Sequence, residues 1–146
     1  MKRFLITLTV LFSLISMSSF ASDSKVDSRV LKSFESSFKN ATEVDWTVST
    51  NFYKANFLLN GQYVAAYFDA SGNMMAITRN ISSTQLPISL QTNLKNNYEG
   101  LWISDLFEVA NEEGTTYYVT VENADTKLIL RSSSSAWATY QKVRKS

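Results

Sequence analysis

Asp69, Ser71 and Asn73 alternate around Gly72 like the opening of a calcium-binding loop. Such a loop closes with a bidentate Glu at its twelfth position. That position here is Asn80, so the segment reads instead as a hairpin turn in which Gly72 supplies positive φ. Glu112-Glu113 and Glu43/Asp45 are the nearest approach to paired carboxylates. Adjacent strand residues point to opposite faces, and Glu43 and Asp45 share what reads as a solvent face, with no perturbing group beside them. Solvated charge is the expectation for both, rather than general acid–base work. The chain holds no His and no Cys. Ser-His-Asp and Cys-His arrangements and ordinary zinc sites are thereby excluded, as is any disulfide framework. No catalytic residue, metal ligand or cofactor is expected, and the chain reads as a non-enzyme.

Tyrosines carry the stronger signal. Phe52 to Leu59 and Gln62 to Asp69 flank Asn60-Gly61, the preferred pair for a two-residue hairpin turn. The turn fixes register: Leu59 faces Gln62, Phe57 faces Val64, Ala55 faces Ala66 and Tyr53 faces Phe68. That face is almost wholly apolar and should be core. The opposite face takes Phe52, Lys54, Asn56, Leu58, Tyr63, Ala65, Tyr67 and Asp69, a mixed and unusually aromatic set. Tyr63 and Tyr67 are candidate exposed anchors of a binding surface, with Lys54 and Asn56 as polar contacts, Phe52 beside them and Tyr118 as the counterpart in the second half. Ordinary cross-strand pairing on a wet sheet face is the plainer alternative.

The elements that would position these residues come in two similar runs. Val30, Leu31, Phe34 and Phe38 fall at helical spacing, with Asp27 or Ser28 as N-cap. Val44, Trp46 and Val48 then alternate with Glu43, Asp45 and Thr47 as a half-buried strand, and Trp46 reads as core. The hairpin follows, then a strand with Met75 and Ile77. After a polar link, Pro87 opens a second helix with the stripe Leu86, Leu90, Leu94 and Tyr98. Strands are expected at 101–109, 116–121, 126–131 and 136–141. Phe38-Lys39-Asn40 matches Tyr98-Glu99-Gly100, and Phe52-Tyr53 matches Tyr117-Tyr118. The fold class is therefore α+β: two α-β-β-β-β repeats, about 24–82 and 83–146, forming an antiparallel sheet with both helices on one face and the other face open.

Residues 1–21 read as a secretory signal peptide. Lys2 and Arg3 precede an apolar run from Phe4 to Ile15, and Ser19-Phe20-Ala21 offers a cleavage site. The run is shorter than the ~18 apolar residues of a spanning helix. The domain would then be 22–146. The signal takes two of the 14 basic residues, leaving 12 against 13 acidic, a net charge of −1. Such a balance gives no electrostatic reason to bind nucleic acid or an anionic membrane. The expected location is the periplasm or the medium.

Several segments together resemble the β-lactamase-inhibitor-like, PepSY-like family of periplasmic proteins. They are the run from Phe34 to Trp46, Tyr53-Lys54-Ala55-Asn56-Phe57, Leu59-Asn60-Gly61 and Tyr67-Phe68-Asp69-Ala70-Ser71-Gly72-Asn73. In the second half they are Leu86-Pro87 before a helix ending at Tyr98, and Thr116-Tyr117-Tyr118. The resemblance implies export, repeated helix-on-sheet architecture and binding rather than catalysis, with an extracytoplasmic protein or peptide as partner. Arg131-Ser132-Ser133-Ser134-Ser135 departs from it, standing where the family repeats an acidic glycine turn. No inhibitory loop matches residue by residue, so inhibition of a β-lactamase is not implied. A structural or envelope-stress component, or a small-molecule binder, is the alternative function.

Overall fold

The structure, a computed structural model, describes residues 25–145, so the signal segment at 1–21 lies outside the described residues. Helix α1 (Ser28–Ser37) begins where the Asp27 carboxylate accepts from the Arg29 amide, which settles the cap on Asp27. Strands β1 (Thr42–Val48), β2 (Tyr53–Leu59), β3 (Gln62–Phe68) and β4 (Met74–Asn80) follow. A single 3-10 turn, Ser83–Gln85, leads into α2 (Ile88–Asn97), and the Gln85 side chain there accepts from the Ser82 amide. Pro87 sits just outside α2 at its cap, where a missing N–H costs nothing. Strands β5 (Trp102–Asn111), β6 (Gly114–Glu122), β7 (Thr126–Ser133) and β8 (Ala136–Arg144) complete the chain.

The eight strands of the described residues form one antiparallel sheet in sequence order. The β2–β3 register is the one the Asn60-Gly61 turn dictates, with Phe57 opposite Val64 and Ala55 opposite Ala66. Asn60 and Gly61 have φ of 51° and 80°, the doubly positive turn that suits the twist of paired strands. One expectation fails at β1. A bulge there puts Thr42 opposite Leu58 and Asp45 opposite Asn56, with Glu43 at φ 53°. The extra residue breaks the alternation, so Val44 is exposed instead of half-buried, while Trp46 still joins the core.

Two apolar clusters lie under the helices. Val30 and Phe34 of α1 pack on Ala55, Phe57, Val64, Ala66 and Phe68. Phe34 is the hub, its ring 5.0 Å from Phe57 and 5.2 Å from Trp46, both edge-on. Leu86 and Leu90 pack on Leu106, Val119, Val121, Leu130 and Trp137. Trp137, on edge strand β8, is tied to α2 by its indole N–H, which donates to the Leu90 carbonyl at 3.0 Å. Register traced from Val64 to Arg79, Glu108 and then Tyr117, with Leu106 opposite Val119, puts both clusters on one sheet face. Both helices therefore cover the same side. Between the clusters runs a polar seam, in which Arg79 donates to Glu108 and, at 3.1 Å, to Gln62.

The Asp69–Asn73 segment is a turn. One Asp69 oxygen accepts from the amides of Ser71 and Asn73, and the other from the Asn73 side chain at 2.9 Å. Gly72 has φ 89°, and a Cβ on it would stand 2.9 Å from the Arg29 carbonyl oxygen. The turn is thus pressed against the start of α1, a fit only glycine allows.

Candidate binding face

The face away from the helices is assembled rung by rung. Thr47, Lys54, Tyr67 and Ala76 form one row across β1 to β4, and Asp45, Asn56, Ala65 and Thr78 form the next. Tyr63 stands opposite Leu58 on a third. Thr78 faces Val109 and Asn80 faces Phe107, and the row from Phe107 continues through Tyr118 to Arg131 and Ala138. The register therefore gathers Lys54, Asn56, Tyr63, Tyr67 and Tyr118 on one face, and Phe52 joins them by packing on Ala65 and Tyr67. None of the apolar clusters on this side includes a helix residue among those described.

Exposure divides the six candidates differently from the sequence reading. Tyr63 is 67% exposed, but Tyr67 is 6% exposed and Tyr118 3%. Phe52 is buried as well. Tyr67 is thus no exposed anchor. Its ring lies 5.9 Å from that of Phe52, with the Lys54 ammonium 5.6 Å over its face. Tyr118 is stacked on Phe107 at 5.3 Å and meets Tyr140 edge-on at 5.8 Å. The side chains of a bare sheet face bury one another when large rings stand on neighbouring rungs. The outcome is two aromatic floors, one in each half of the sheet.

The electrostatics follow. Burial raises the Tyr67 hydroxyl above its ordinary pKa, partly offset by a hydrogen bond with Thr78. Burial likewise raises Tyr118, against the pull of nearby Arg131. Burial lowers Lys54. At the exposed end, the Tyr63 hydroxyl donates to Glu43 at 2.9 Å, and that bond raises the tyrosine.

Sequence reasoning missed Trp102. Its rung partner is Glu122, two residues beyond Thr120 on the open face, and it is 52% exposed. The Lys145 ammonium lies 5.3 Å from its ring centre. A bulge between Ile103 and Asp105 sets its face, and no turn signal announces that bulge. Trp102 lies at the same end of the sheet as Tyr63: that of the Asn60-Gly61 and Asn123–Asp125 turns. The site is therefore a buried aromatic floor with an exposed aromatic at one end of each half. Among the described residues, no group of three or more His, Cys, Asp or Glu could hold a metal. No described helix is long and apolar enough to cross a membrane.

Solved structures share this architecture. A BLIP-like protein from Bacteroides fragilis matches with a TM-score of 0.69 at 22% identity, over 83% of this chain and 87% of that one. A protein of Bacteroides eggerthii, described provisionally as periplasmic, matches with a TM-score of 0.73 at 11% identity, over 83% and 90%. A DUF2874 family protein from Bacteroides uniformis matches with a TM-score of 0.73 at 17% identity, over 82% and 90%. No family model matches the sequence, and no curated protein does. The chain has the BLIP-like fold that its segments resemble.

Proposed function

We propose that this chain is an exported, non-catalytic binding module that engages an extracytoplasmic protein or peptide through its open sheet face. One observation carries the reading. The face has no second layer among the described residues, yet it is floored by packed aromatics and flanked at one end by exposed Tyr63 and Trp102. A rigid floor with amphipathic rings at its margin suits protein recognition, because a tyrosine or tryptophan buries a large surface at little rotamer cost. The BLIP-like and periplasmic descriptions of proteins with the same fold agree with it. Export rests on the signal segment at 1–21, and intact mass of the recovered protein tests it, with a mature chain starting at Ser22 as the expected result.

The test of the binding reading is a pull-down from envelope extract with wild type and a Tyr63→Ala/Trp102→Ala double variant. Both rings are exposed, so the variant should melt close to wild type. Loss of a specific captured partner, by thirtyfold or so in affinity, is the expected outcome. Equal capture by two equally stable proteins would remove these rings from the interface.

A further inference from the structure

The two halves of the open face carry the same charge device with its strands exchanged. In the β2–β3 hairpin, Lys54 stands directly opposite Tyr67. In the β6–β7 hairpin, Tyr118 stands directly opposite Arg131. These are equivalent positions: the step from 54 to 118 and from 67 to 131 is 64 residues, and the same step carries the core pair Ala55–Ala66 onto Val119–Leu130. Each half therefore has a half-buried cation beside a buried tyrosine at one ladder position.

Neither cation has an answering carboxylate among the described residues, and three of the carboxylates near this face already have polar partners. Glu43 accepts from the Tyr63 hydroxyl, Asp105 accepts from the Asn80 amide at 3.3 Å, and Glu122 pairs with Lys145 at 3.3 Å. Among the described residues, neither Lys54 nor Arg131 has a carboxylate within ion-pairing distance. Asp45 and Asp69 are the nearest acids by register, each one rung from Lys54. Asp45 is exposed on edge strand β1, the Asp69 carboxylate is taken up by Ser71 and Asn73 of its own turn, and neither pairs with Lys54. Burial alone moves the Lys54 ammonium, downwards, with no carboxylate holding it up. A half-buried cation without a counter-charge is costly in the free protein, and an arriving carboxylate would remove that cost.

We infer that the occupant of the open face is a protein loop presenting two acidic side chains, one to Lys54 beside Tyr67 and one to Arg131 beside Tyr118. This rests on the proposed function and names the chemistry of its partner. Lys54 and Arg131 lie five strands apart and four residues out of step along the strands, roughly 27 Å on a flat sheet at ~4.8 Å per strand and ~3.4 Å per residue. A single carboxylate cannot serve both, so the two acids must be separated along the loop. The Lys54 ammonium supplies a point charge and the Arg131 guanidinium a planar fork that holds a carboxylate through two bonds.

The probe is a displayed library of cyclic loops with randomised residues, selected for binding to the exported chain and remade as synthetic peptides. The expected result is loops carrying at least two separated Asp or Glu residues. Lys54→Met and Arg131→Met should each weaken their binding by about thirtyfold, and Lys54→Arg should retain most of it. Wild-type binding should fall several-fold as salt rises from about 0.05 to 0.5 M, a measurement that needs no variant. Asn56→Trp, which fills the rung beside Lys54, should abolish binding. Neutral or basic loops, or acidic loops that bind Lys54→Met and Arg131→Met as they bind wild type, would overturn the inference. If such loops still fail on Asn56→Trp, the open face stands and only the acidic partner falls. Loops indifferent to Asn56→Trp as well would sink both readings.

Discussion

Truncating Tyr67 should damage the fold, whereas truncating Tyr63 should not, although both belong to one strand and one face. The Tyr67 ring is 6% exposed and packs on Phe52 and under the Lys54 ammonium. A buried tyrosine removes roughly 150–250 Å² from water. At about 25 cal/mol per Å² that is an upper bound of some 4–6 kcal/mol. Water can enter the gap on a face without a second layer, so about 3 kcal/mol is expected for Tyr67→Ala. In a domain of this size that lowers Tm by about 10 °C. Tyr63 is 67% exposed and holds only a surface hydrogen bond to Glu43, so Tyr63→Ala should fall within about 0.5 kcal/mol of wild type. Urea titration of both variants, with m-values checked for constancy, measures the difference. A Tyr67→Ala protein within about 1 kcal/mol of wild type would refute the claim that this face is internally packed.

Three further outcomes follow from the same structure. Phe34→Ala should cost about 3–5 kcal/mol, because it removes the hub that Phe38, Trp46, Phe57 and Phe68 surround, and denaturant unfolding reads it directly. Gly72→Ala should cost about 1–3 kcal/mol by thermal melting, since the added Cβ meets the Arg29 carbonyl oxygen at a backbone angle that disfavours side chains. Asp69 makes stability depend on pH: burial pushes its pKa up, but hydrogen bonds from Asn73, Ser71 and Gly72 outweigh this and hold it below the usual value. A depressed carboxyl contributes stability above its unfolded pKa of about 3.9 and loses it as pH falls through the folded value. Melts between about pH 5 and 2 should therefore show a smaller acid loss in Asp69→Asn than in wild type.

Register was the legible part of this chain. Asn60-Gly61 permits one tight turn, and from it every partner along β2 and β3 follows by counting, including which residues share a face with Tyr67. What counting cannot provide is depth. Tyr67 and Tyr63 have the same parity, yet one is covered by Phe52 and the other projects from the end of the strand. Tyr118 is hidden by Phe107 and Tyr140, which come from β5 and β8 and become its neighbours only once the whole sheet is assembled. The bulges at Glu43 and between Ile103 and Asp105 were invisible for another reason. Glu43 takes φ 53° without being Gly, Asn or Asp, so its residue type carries no warning. The second bulge sets the face of Trp102, which is why that ring escaped notice.

The central claim is that the open sheet face is where a partner sits, and a photo-crosslinking residue placed on each side of the sheet tests it most directly. One, a short diazirine side chain close to asparagine in size so that the rung beside Lys54 stays open, would replace Asn56 in the middle of the open face. The other would replace Ile88, which projects into solvent at the start of α2 on the helix side. Irradiation in cells that export the chain should yield a discrete adduct from position 56 and none from position 88. An adduct from 88 with none from 56 would place the partner on the helices and contradict the account.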